Sequence, residues 1–128
     1  MKKINILIVD DHWLAQHMLS LILVDYAAIC DCVDSAALAL QAIKTQVYDL
    51  ILIDLGLPDF NGFELAQKLR AAGSVSTFVA LTSQLDPSYQ QHPQQTLFAG
   101  FIEKPLTEES YVKGLVLPEF MSSLMVGA

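Results

Sequence analysis

Residues 50–65 read LILIDLGLPDFNGFEL: four aliphatic residues, an aspartate, a turn-forming stretch around Pro58, Asn61 and Gly62, then a helix-compatible run. Four aliphatics closed by a polar residue are too few for a helix and suit a strand covered on both faces, as in a parallel sheet. The same layout opens the chain, where INILIVDDH at residues 4–12 passes from an aliphatic strand into two aspartates and a histidine. Strands are predicted over Ile4 to Val9, Ala28 to Val33, Leu50 to Ile53, Thr77 to Leu81 and Gly100 to Ile102. Asp31, in the middle of the second, suits an edge position. Longer helix-compatible segments separate these runs, and that alternation is the signature of strands and helices wound around a parallel sheet.

The intervening segments carry helical signals of unequal strength. Trp13 to Val24 presents Leu14, Met18, Leu21 and Ile22 at helical spacing, and Ser35 to Gln46 follows Asp34, an N-cap candidate. Phe63 to Ala72 is stopped by Gly73. A last helix is predicted to open near Thr107, where Glu108 and Glu109 complement the helix dipole. Pro87 and Pro93 confine any helix between residues 83 and 99 to a short piece starting near Pro93, and Gly114 and Pro118 weaken or kink the final one.

The 128 residues are 53% hydrophobic and 16% charged, which fits one compact domain over 1–128 and excludes disorder as the main state. Seven basic against 14 acidic residues give a formal charge of -7, a field that repels phosphate backbones and anionic membranes. Direct nucleic-acid binding is therefore not expected. Charges interrupt every apolar stretch before the roughly 18 residues a membrane span requires, and the start lacks a signal-peptide layout, so a soluble cytoplasmic protein without membrane insertion is expected. Cys30 and Cys32 in AICDCVD point to one face of a strand without disulfide geometry, and lacking further ligands nearby they are predicted to be buried small hydrophobes.

In a doubly wound sheet the functional groups collect at the carboxyl ends of the strands. There the sequence places Asp10 and Asp11 after the first strand, Asp54 after the third, Thr82 after the fourth and Lys104 after the fifth. Singly, each has a structural explanation, a helix cap for an aspartate or a surface turn for Lys104-Pro105. Together, three carboxylates would repel one another unless a cation held them, and Mg2+ accepts one or two carboxylates together with a phosphoryl oxygen. Asp54, with the small Gly56 two residues on, is placed to act as nucleophile toward a phosphoryl donor. Thr82 can donate a hydrogen bond and Lys104 a positive charge to the oxygens that carry charge during transfer. His12 and His17 read as a helix-start and a surface residue, and Asp59, Asn61 and Gly62 as turn chemistry. Trp13 lies close enough to the acidic pair for its fluorescence to respond to Mg2+.

At these positions the sequence resembles a receiver domain of bacterial two-component signalling over nearly its whole length. ILIVDDH is similar to that family's acidic-pair motif, LILIDLGLPDFNGFEL to its phosphoacceptor segment, LTS to its switch-hydroxyl motif and GFIEKP to its aromatic and lysine motif. The resemblance implies a flavodoxin-like α/β fold, a doubly wound five-stranded parallel sheet of order 2-1-3-4-5 with about five helices. It also implies that Asp54 is the phosphorylated residue and that Asp10, Asp11, Asp54 and the backbone carbonyl of Gly56 hold Mg2+. Thr82 and Lys104 would contact the phosphoryl group, Phe101 would be the aromatic switch, and the bond before Pro105 would be cis. The implied donor is a phosphohistidine on a histidine kinase or histidine phosphotransfer domain, and the implied role is a signalling phosphoacceptor, not a turnover enzyme.

The sequence departs from the family at the fourth and fifth helices, which Pro87, Pro93 and Pro118 make atypical. Phe101 lacks a hydroxyl, so its inward state would be held by packing alone. Gln84, two residues beyond Thr82, is placed to orient a water that hydrolyses the phosphoryl group, with Gly56 leaving it room; an unchanged phosphoryl half-life in Gln84→Ala would remove that role. Three alternatives fit less well. An aspartate-nucleophile phosphatase needs an acid where Gly56 stands, a flavin or nucleotide binder needs a phosphate loop where Asp10-Asp11-His12 stands, and a degenerate receiver should lack an acid or the lysine. The chain is either a stand-alone receiver or part of a longer protein with a linked kinase or output domain. The segments GLPDFNGFELAQKLR and KPLTEE resemble receivers of hybrid sensor histidine kinases.

Overall fold

The structure is a computed structural model and describes residues 4–12, 28–57, 59–82, 88, 92 and 95–103. Five strands, β1 (Ile4–Val9), β2 (Ala28–Val33), β3 (Leu50–Asp54), β4 (Thr77–Thr82) and β5 (Phe98–Glu103), form one sheet of order β2-β1-β3-β4-β5. Every neighbouring pair is parallel. Two α-helices are described, Ala36–Thr45 and Gly62–Ala71, together with a 3-10 turn at Gln95–Leu97. The sheet and its order are those the sequence implies. The helix predicted over Trp13 to Val24, the one from Thr107, and Ser83, Gln84, Lys104 and Pro105 lie outside the described residues.

β1 and β3 sit at the centre because both of their faces are apolar. Leu7, Val9, Ile51 and Ile53 join the core beneath the two helices, while Ile6, Ile8, Leu50 and Leu52 point the other way by strand alternation and are equally buried. Each such side chain contributes roughly 1.5–3 kcal/mol when fully withdrawn from water, so this pair of strands dominates the core. Asp49 fixes the register at the opposite edge from the acidic residues. Its carboxylate accepts from the Asn5 amide at 2.9 Å, its own amide donates to Asn5 O at 2.8 Å, and its carbonyl accepts from Thr77 N at 3.1 Å.

Several boundaries differ from the sequence reading for local reasons. β5 starts at Phe98, before the predicted Gly100, because Phe98 pairs with Phe78 and Gly100 with Val79, leaving Ala99 as an extra residue in a bulge. The first described helix is capped by Ser35, not Asp34: Ser35 is extended (φ -151°, ψ 160°) and its Oγ accepts from Leu38 N at 3.2 Å. The Gly62 helix ends where Gly73 adopts φ 102°. There Ser74 N donates to Leu69 O and Gly73 N to Arg70 O, both at 3.0 Å, which is a Schellman ending.

β2 is an edge strand, and that corrects the expectation of buried cysteines. Cys30 is only half-buried and Cys32 is exposed, and neither is in a disulfide. Burial, then the neighbouring Cys32 and Asp31 charges, push the Cys30 thiol up to about 11, so it is a poor nucleophile. Asp31 is accommodated because Tyr48 donates its hydroxyl to Asp31 Oδ2 at 2.8 Å.

Candidate functional site

The parallel order brings the carboxyl ends of β1, β3 and β4 side by side, with Val9 opposite Ile53 and Asp54 opposite Leu81. Asp10 directly follows β1, Asp54 ends β3 and both are buried, as is Thr82 at the end of β4, whereas Asp11 and His12 are exposed. One donor atom from each of Asp10, Asp11, His12 and Asp54 can be chosen so that all lie within 4.8 Å of one another. Three of the predicted site residues, Asp10, Asp11 and Asp54, therefore meet at one point. Thr82 ends the strand next to Asp54, and β5 continues to Glu103, its pairing partner. Lys104 lies outside the described residues.

Two carboxylates are oriented by backbone amides. Asp54 Oδ1 accepts from Gly56 N at 2.9 Å, and Asp10 Oδ1 accepts from His12 N at 2.9 Å. The loop after β3 is shaped to supply the first of these bonds. Gly56 forms an antiparallel bridge with Asn61, and Gly62 N donates to Leu55 O at 3.2 Å, so the chain turns back directly behind Asp54. Asn61 caps the helix through Oδ1, which accepts from Phe63 N at 2.8 Å. A Cβ on Gly62 would stand 2.7 Å from both Asp54 O and Leu55 Cα. Only glycine lets the helix approach the acidic strand so closely. At Gly56 a Cβ would sit 3.8 Å from Asp54 Oδ1, an ordinary contact, so its absence leaves space beside that carboxylate.

Phe101, the predicted switch residue, is half-buried and belongs to an aromatic group that includes Phe63 and Phe98. Its ring centroid lies 6.2 Å from Phe63 and 5.6 Å from Phe98. His92 stacks on the same Phe63 at 3.8 Å.

Two residues have larger roles than their sequence reading gave them. His12, read as a helix-start residue, brings Nδ1 to 3.2 Å from Asp10 Oδ1 and Asp11 Oδ1 and 4.0 Å from Asp54 Oδ2. Its place directly after the acidic pair was the available signal. Asp59, read as turn chemistry, accepts from Ala36 N at 3.0 Å and Ala37 N at 3.3 Å across the fold, a contact that no local motif announces.

Comparison with known proteins agrees with this architecture. Residues 6–115 match the model of the response regulator receiver domain. The sensor protein EvgS of Escherichia coli K12 is 32% identical over 110 residues, a match that covers 83% of this chain and 9% of EvgS. A CheY-like response regulator receiver domain from Methylobacillus flagellatus is 30% identical, with a TM-score of 0.78 over 93% of this chain and 99% of that one. The receiver domain of a sensor histidine kinase from Pseudomonas aeruginosa, solved with a magnesium ion coordinated in its active site cleft, shares the fold at 21% identity and a TM-score of 0.77, covering 94% and 99% of the two chains. The chain spans 35% or less of the length of the curated relatives it matches first. With the family model covering most of its length, the chain belongs to the response regulator receiver domains of two-component systems.

Proposed function

We propose that the domain takes a phosphoryl group onto Asp54 from a phosphohistidine on a histidine kinase or histidine phosphotransfer domain. The observation that carries this reading is the meeting of Asp10, Asp11 and Asp54 at the carboxyl edge of a parallel sheet, two of them buried. Buried carboxylates at such spacing call for a cation, and an all-oxygen set suits Mg2+. Asp10, Asp11, Asp54 and the Gly56 carbonyl would hold it, and the bound ion would neutralise charge on the transferring oxygens.

The chain's own groups do the rest. The Gly56 amide fixes the Asp54 rotamer through Oδ1. An Asp54 carboxylate oxygen attacks phosphorus, forming the acyl-phosphate O–P bond as the N–P bond to the donor imidazole breaks, and the imidazole departs with its electron pair. The Thr82 hydroxyl and the Lys104 ammonium stabilise the phosphoryl oxygens, and Phe101 reports the change to the surface. Gly56 occupies the place where a phosphatase would need a second acid, which favours a phosphoacceptor over a turnover enzyme. The protein would work in the cytoplasm, either alone or linked to a kinase or output domain.

Incubation with Mg2+ and a small phosphodonor such as acetyl phosphate, followed by intact-mass measurement, tests the reading. One added phosphoryl mass that disappears in Asp54→Asn is expected. An equal gain in that variant would remove Asp54 as the acceptor.

A further inference from the structure

The carboxylates proposed to hold a cation share their site with an imidazole. Nδ1 of His12 lies 3.2 Å from Asp10 Oδ1, 3.2 Å from Asp11 Oδ1 and 4.0 Å from Asp54 Oδ2. The contact with Asp10 Oδ1 is a hydrogen bond, and one donor atom each from Asp10, Asp11, His12 and Asp54 lies within 4.8 Å of the others, so the ring would offer a nitrogen beside the oxygens that would hold the ion. The His12 amide is tied to Asp10 Oδ1 at 2.9 Å, so the base of the side chain is held at the site while the ring remains 66% exposed and open to an ion arriving from solvent.

Resting on the cation site proposed above, we propose that His12 is a further metal ligand that raises this site's preference for divalent transition ions that accept imidazole, such as Ni2+, Co2+ and Zn2+, over Mg2+. Mg2+ prefers oxygen and retains its waters, so it gains little from the ring. The transition ions bind imidazole well and, along the Irving–Williams series, bind a mixed nitrogen and oxygen site far more tightly than Mg2+ does. His12 thus sets which ion occupies the cluster.

The test is calorimetric titration of the full chain with MgCl2 and with NiCl2, for the wild type, His12→Ala, His12→Asn and Asp10→Asn. Titration with both ions separates ligation from any general disturbance of the site, and Asp10→Asn identifies which Ni2+ binding belongs to the cluster and not to His17 or His92. The expected result is that both His12 variants raise the Ni2+ Kd at least about tenfold more than the Mg2+ Kd. Equal changes for the two ions, or an unchanged Ni2+ Kd, would show that His12 is only a neighbour and overturn the inference while leaving the acidic site intact. Mg2+ binding that is missing in the wild type or unaffected by Asp10→Asn would instead overturn the cation site, and this inference with it.

Discussion

Asp59 holds the start of the Ala36 helix from across the fold, its Oδ1 accepting from Ala36 N at 3.0 Å and its Oδ2 from Ala37 N at 3.3 Å. The first amides of a helix have no partner within the helix, and a carboxylate there also meets the positive end of the dipole. Asp59 lies on the loop that follows Asp54, so one loop serves both the acidic site and the neighbouring helix.

The hydrogen bond from Ala36 N is the largest cause that holds the Asp59 carboxyl below its usual range; burial opposes it, and bonds from Ala37 N and its own amide add to the lowering. A depressed carboxyl stabilises the fold above its unfolded value of about 3.9 and ceases to do so as pH falls through the folded value. Asp59→Ala is expected to unfold at a lower temperature than wild type at pH 7, with the gap closing in strongly acid solution. Thermal melts across that range check this, and a gap independent of pH would remove the charge from the account.

Gly62→Ala would place a Cβ 2.7 Å from the backbone of Asp54 and Leu55, where no flexible side chain can yield. The helix must move off the acidic strand, at a cost of about 2–3 kcal/mol. Urea unfolding should show that loss, and phosphoryl uptake at Asp54 should slow because the loop carrying the Gly56 amide moves too. Gly73→Ala gives the contrast. Its φ of 102° penalises any L side chain by about 1–2 kcal/mol, but nothing lies within 4 Å of the new atom and the position is at the far end of the same helix. Phosphoryl uptake should be unaffected there.

Tyr48 and Asp31 form a pair whose strength can be read by titration. Burial raises the tyrosine hydroxyl most, followed by its hydrogen bond to Asp31 and the carboxylate charge, to about 12. Because the folded value lies above the unfolded one of about 10, the stabilisation is complete below pH 10 and is lost as pH rises toward 12. Wild type should therefore lose on the order of 2 kcal/mol relative to Tyr48→Phe across that interval in denaturant titrations. Parallel pH dependence in the two proteins would show that the hydroxyl does not carry the effect.

The central sheet was legible because β1 and β3 are aliphatic runs closed by aspartates, a pattern that fixes strand, direction and the location of the site at once. What the sequence concealed depends on contacts between distant segments. Ser35 and Asp34 are both competent caps, and only the extended backbone at Ser35 decides between them. Asp59 reaches a helix 23 positions away, beyond any capping motif. The exposure of Cys32 goes with the place of β2 at the edge of the sheet, which composition cannot convey. His12 was visible as a residue but not as a ligand candidate, since a histidine after an acidic pair equally suits a helix start, and only the ring's direction separates the two.

The aromatic group beside the site supplies the remaining prediction. Phe63 on the Gly62 helix touches Phe98 edge-on at 5.6 Å and Phe101 at 6.2 Å, so β5 and this helix share one packed unit immediately after the site strands. With no hydroxyl on Phe101, packing is what sets its position, and Phe63 is the partner that the helix provides. A double-mutant cycle on Phe63→Leu and Phe101→Leu should give a coupling of about 0.5–1.5 kcal/mol, the usual range for an aromatic pair beyond its burial. Phosphorylation of Asp54 that moves Phe101 away from Phe63 should reduce that coupling. Measuring the cycle with and without beryllofluoride, a phosphoryl mimic, tests this directly, and an identical coupling in both states would mean that Phe101 keeps its contact with the helix when the site is occupied.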